Sequence, residues 1–131
     1  MCYRLFIASD AMLPEMSPTQ PPTFTVSPVK RTGDCADLPF PSEWTVVEAD
    51  STSGCACDFH GKRKAARTLL AEYLRPHYGR QSLRVFSTWY GGEAKPAIPQ
   101  PAIRWSQVTD PGDPFPLQSL TEILPESADY V

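Results

Sequence analysis

The residues of this chain whose types and spacing could do chemistry are Cys2, Cys55, Cys57 and His60. In an extended segment, residues two apart face the same side, so Cys55 and Cys57 present both sulfurs to one face with Ala56 turned away. Gly54 and Gly61 flank the run and permit the backbone to bend around an ion and bring the imidazole of His60 back towards it. A tetrahedral zinc site needs four donors. Cys-x-Cys-x-x-His supplies three, and Cys2 is the natural fourth, with Cys35 and Asp58 as substitutes. Zinc is the expected metal, although thiolates also accept copper(I) or an iron–sulfur cluster.

Two other chemistries use the same sulfurs. If Met1 is removed, the α-amino group of Cys2 could assist its own thiol as a nucleophile. Alternatively, Cys2 or Cys35 could attack a disulfide between Cys55 and Cys57, although a one-residue spacing suits that exchange less well than Cys-x-x-Cys. The bland alternative is packing, because cysteine is among the most buried residue types; the chain would then be a metal-free interaction module. A separate candidate is a small anion at Lys62, Arg63 and Lys64, where a basic run opens a helix with Arg67 one turn on. A solvated basic face is the simpler reading of that run.

Composition narrows the partners. A net charge of −3 with 131 residues provides no field that would draw nucleic acid or an acidic membrane. No apolar run is long enough to span a bilayer, and the amino-terminal residues lack a signal-peptide pattern, so a cytoplasmic location with reduced thiols is expected. No Ser-His-Asp order, paired-carboxylate motif or phosphate-binding glycine loop stands out, which leaves enzymatic activity undecided.

The elements that must position the sulfurs are punctuated by 15 prolines. Residues 14–28, 39–41, 96–101 and 111–116 therefore cannot lie inside long helices. Residues 2–8 are apolar on both parities apart from Arg4, which predicts a central strand covered on both faces. Residues 23–27, 44–49, 83–90 and 103–106 read as further strands, while 117–124 fits helix or strand equally. One helix is predicted from about Lys62 to His77, with Ala66, Leu69, Leu70, Tyr73, Leu74 and His77 on its apolar stripe and Lys64, Arg67, Glu72 and Arg75 off it. His77, Trp44, Trp89 and Trp105 read as packing residues. The expected fold is a single α+β domain over residues 1–131, a mostly antiparallel sheet of about five strands with one main helix on a face and long Pro-rich loops.

The opening Met1-Cys2-Tyr3-Arg4-Leu5-Phe6-Ile7-Ala8-Ser9-Asp10 and the central Gly54-Cys55-Ala56-Cys57-Asp58-Phe59 resemble a family of small uncharacterised bacterial proteins. Its members begin Met-Cys and carry a Gly-Cys-Gly-Cys-x-Phe element. Ala56 stands where that pattern has its second glycine. The resemblance implies a soluble bacterial protein and a pairing of Cys2 with Cys55 and Cys57, but no activity.

Overall fold

The computed structural model describes residues 3–16, 24–51, 56–59, 64–109 and 114–124. Its centre is a mixed sheet of seven strands in the order β2-β3-β1-β4-β7-β5, with β6 also pairing β7. The strands are β1 (Tyr3–Ser9), β2 (Phe24–Pro28), β3 (Thr45–Ser51), β4 (Leu83–Trp89), β5 (Ile98–Pro99), β6 (Ile103–Arg104) and β7 (Ser119–Leu124). The first four and β7 pair antiparallel. The two-residue strands β5 and β6 pair parallel with successive parts of β7. The predicted α+β class therefore holds, with two more strands than expected and two parallel pairings.

Strand β1 shows why the sheet forms as it does. Its odd residues Leu5 and Ile7 face a core shared with Val47, Ala49, Val26 and Val85. Its even residues Phe6 and Ala8 face a second core with Val46, Phe86, Leu38 and Phe40. Each face thus loses its apolar area to a separate cover, as the double-parity pattern requires. The first cover is α1 (Lys64–Leu74), joined by Ala56, Phe59, Val108 and Phe115. The second is the loop 33–44, where Arg31 donates to the carbonyls of Leu38 (3.0 Å), Phe40 (3.1 Å) and Pro41 (3.3 Å). Phe86 anchors that side, stacking on Phe6 at 6.2 Å and meeting Phe40 edge-on at 6.4 Å.

The structure decides one segment that the sequence left open and departs from the sequence reading in two details. Residues 119–124 are strand, with Ser119, Thr121 and Ile123 buried in alternation; the short alternation prevails because β4 offers a partner edge. Ile103–Ser106 contributes only two residues of strand before the 3-10 turn Trp105–Thr109. There the Trp105 indole donates to Ala71 O at 2.8 Å and stacks on Tyr78 at 5.1 Å, so this tryptophan packs on the helix rather than on the sheet. Arg67, assigned to the polar side of α1, is fully buried. The helix is flanked by the turn 105–109 as well as by the sheet, so its covered arc is wider than the apolar stripe.

The sharpest backbone constraint lies where the residue before β7 meets the turn after β4. Gln118 adopts a left-handed φ of 61°. Its side-chain amide donates to Gly92 O and Lys95 O, both at 3.1 Å, and accepts from Thr88 Oγ1 at 2.7 Å. A Cβ on Gly92 would stand 2.5 Å from that Thr88 oxygen and 2.9 Å from Gln118 Oε1, inside the hydrogen-bonded pair. Gly92→Ala is expected to lower stability by about 1–3 kcal/mol, measured by urea unfolding. A variant as stable as the native chain would show that the Thr88–Gln118 contact gives way freely.

Candidate functional site

The sheet register decides which sequence-distant segments meet. Leu5 pairs with Ala49, and Tyr3 with Trp89. Since Phe24 pairs with Ser51, the start of β1, the end of β3, the start of β2 and the end of β4 share one end of the sheet. The 3-10 turn Ala56–Phe59 packs against β1, β3 and α1. Ala56 and Phe59 are fully buried, in the same core that Tyr3 packs against. Phe59 meets Phe24 edge-on at 6.0 Å. Of the sequence candidates, Cys2, Cys55 and His60 lie outside the described residues, as does the side chain of Cys57; their immediate neighbours Tyr3 and Ala56 do not. Lys62 and Arg63 also lie outside, together with the side chain of Lys64, so the candidate anion position falls there too. Cys35, the substitute ligand, is buried in the core of the opposite sheet face. The sheet separates it from the Ala56–Phe59 turn.

The most highly charged cluster is one the sequence reading missed. Arg4 projects from β1 onto the Phe6 face and is only 10% exposed. Its Nε and Nη2 donate to Glu48 Oε2 and Oε1, each at 2.8 Å, which is the bidentate fork that suits a guanidinium. Nη1 donates to Glu93 Oε2 at 2.7 Å and to Asp34 Oδ2 at 3.1 Å. Nη2 also approaches Cys35 Sγ at 3.8 Å. The cation lies 4.8 Å from the Phe6 ring centre and 4.6 Å from that of Tyr90. The interaction with Glu48 outweighs burial and raises the guanidinium pKa, with Glu93 adding to it. Arg4 thereby ties β1 to β3, to the 3-10 turn Gly33–Cys35 and to the turn after β4.

Charge does not balance there. Three carboxylates surround one guanidinium, and Asp50, two residues beyond Glu48 on the same face of β3, adds a fourth near it. Burial, reinforced by the charge of Glu48, pushes Asp50 up to about 6 despite the opposing pull of Arg4. Burial likewise raises the Cys35 thiol, Arg4 pulling it back and Asp34 pushing it further up. Cys35 is thus held as a thiol rather than as a reactive thiolate. Among the described residues, no three His, Cys, Asp or Glu side chains converge as a metal ion would require.

An apolar groove of about 350 Å³ runs beside α1, lined by Pro14, Met16, Phe24, Leu69, Tyr73 and Pro76 among others. Two of its polar groups are engaged: the Tyr73 hydroxyl donates to Pro14 O at 2.6 Å, and His77 Nδ1 lies 3.2 Å from Gln81 Oε1. Burial pushes the Tyr73 hydroxyl up to about 12, so it stays a donor. No helix among the described residues is long and apolar enough to cross a membrane.

Compared with known proteins, the chain matches no family model, no curated protein and no solved structure.

Arg4 could have been suspected from sequence. A lone charge in a strand apolar on both parities must meet a buried counter-charge. Glu48-x-Asp50 places two carboxylates on one face of another strand, but the pairing of β1 with β3 and the approach of Glu93 needed the fold. Two outcomes follow. Arg4→Gln leaves Glu48 and Glu93 without their cation and should lower stability by about 3–5 kcal/mol in chemical denaturation. A loss below about 1 kcal/mol would mean that the cluster relaxes into water. Asp50 has a folded pKa raised above its unfolded value near 3.8, so its contribution to stability is present below about pH 4 and lost as pH rises through about 6. Asp50→Asn should therefore be more stable than the native chain at neutral pH by about 1–2 kcal/mol, allowing for partial exposure, with the advantage gone near pH 4. Parallel melting curves across pH would contradict this.

Proposed function

We propose that the protein binds a transition metal, zinc in preference to copper(I) or an iron–sulfur cluster, through Cys2, Cys55, Cys57 and His60, in a structural or regulatory role in the cytoplasm. One observation carries the reading. Tyr3 and Ala56, the immediate chain neighbours of Cys2 and Cys55, belong to one packing cluster although more than fifty residues separate them. A four-donor site built from an amino-terminal cysteine and a mid-chain Cys-x-Cys-x-x-His run needs the first strand and the mid-chain turn to meet, and the turn Ala56–Phe59 packs against β1. Cys35 is the less suitable fourth donor, because the sheet stands between it and the mid-chain turn.

The metal would stabilise a local region rather than the whole fold. The sheet already buries large side chains on both faces, including Phe6, Phe59, Phe86 and Phe115, so it does not depend on a staple. Protein purified without an affinity tag should contain one zinc per chain by elemental analysis. The double variant Cys55→Ser with Cys57→Ser should lose it while keeping the native far-ultraviolet circular dichroism. Clean native protein without metal, with thiols that react at the rate of free cysteine, would overturn the reading. A single cysteine alkylated far faster than the others, with no metal present, would point to thiol chemistry instead.

A further inference from the structure

The Arg4 cluster carries more negative charge than its one guanidinium balances, and its carboxylates are unequally anchored. Glu48 receives two hydrogen bonds from Arg4. Glu93, 4% exposed, receives one from Arg4 and another from the Gly91 amide at 2.9 Å. Asp34 has a single contact, 3.1 Å long, and its side chain is 63% exposed. It sits on a three-residue 3-10 turn whose N-cap, Thr32, makes no side-chain capping hydrogen bond. That turn carries Cys35, which is 6% exposed. The clamp of Arg31 on the carbonyls of Leu38, Phe40 and Pro41 fixes the chain just beyond.

Asp50 lies two residues beyond Glu48 on β3, and the pairing of Leu5 with Ala49 sets it beside Arg4 across the strand pair; its register partner on β2, Thr25, carries no charge. Asp34 and Cys35 from the 3-10 turn, and Glu93 and Tyr90 from the turn after β4, meet the same guanidinium. Four carboxylates about one shielded cation cannot all ionise without cost. We propose that the turn Gly33–Cys35 is an acid-closed latch, held on Arg4 while Asp50 is protonated and loosened when Asp50 becomes charged and competes for the same cation, uncovering Cys35. Asp34 yields first because it is the carboxylate closest to full hydration and loses least by leaving. Opening stops before Leu38, where the Arg31 clamp begins. Because burial and the charge of Glu48 push Asp50 up to about 6, the swing falls in the mildly acidic to neutral range. The latch lies on the sheet face away from the Ala56–Phe59 turn and operates whether or not a metal is bound.

Cys35 is a built-in reporter. Its alkylation rate in the intact chain, read by mass spectrometry of the peptide that contains it and divided by the rate for the same free peptide at each pH, gives a protection factor corrected for the reagent and for the pH dependence of a free thiol. In the native chain this factor should fall about fivefold between about pH 5 and pH 7.5. Asp50→Asn should remain protected at both values, and Asp34→Asn should be poorly protected at both. Equal protection of the native chain at the two pH values, a fall that persists in Asp50→Asn, or native-like protection in Asp34→Asn would each overturn the latch.

Discussion

A single guanidinium fastens the polar end of this sheet. Arg4 enters β1 among residues that are otherwise apolar on both sides, and burying its charge is tolerable only because Glu48 and Glu93 supply hydrogen bonds with suitable geometry. The rings of Phe6 and Tyr90 cover it. The consequence reaches beyond β1. Glu48 lies on the neighbouring strand, Glu93 on the turn after β4 and Asp34 on the loop that roofs the second core, so four separate pieces of chain are set by one side chain. An apolar residue at position 4 could fill the space, but it would give those pieces no common direction.

The two faces of the sheet therefore divide the labour. One face, under α1, has an apolar centre bordered by buried Ser51, Ser87 and Thr121, and draws in the turn Ala56–Phe59 through Ala56 and Phe59. The other is apolar at its middle, around Phe6 and Phe86, and ionic at the end where β1 begins. The turn Ala56–Phe59 and the Arg4 cluster lie on opposite faces of the sheet, and both contact β1 and β3.

Much of the fold was legible from periodicity. The double-parity run at 2–8 announced a central strand, and the three- and four-residue spacing of Ala66, Leu70, Tyr73 and Leu74 announced the helix. What stayed open or failed were segments whose state depends on a distant partner. Residues 117–124 matched two periods equally, and only the edge of β4 decided between them. Arg67 looked solvent-facing because local spacing does not register a second flank on the helix. The Arg4 cluster escaped for the same reason: its members are 30 to 89 residues away from Arg4 along the chain, and no local pattern joins them. The thiol candidates were visible by type and spacing, and the fold adds the packing of the Ala56–Phe59 turn against β1 and β3, which the spacing alone did not contain.

The strands β5 and β6 form one outer border of the sheet, interrupted at Gln100–Ala102. Ile98 and Gln100 donate inward to Gln118 O and Leu120 O, whereas Pro99 and Pro101 have no amide hydrogen to offer outward. At the opposite border, Met16 exchanges two backbone hydrogen bonds with Val26 and caps the middle of β2. Neither margin presents an unbroken ladder to a stranger's backbone, so the sheet is built to resist the lateral stacking of chains that leads to fibrils and insoluble aggregates.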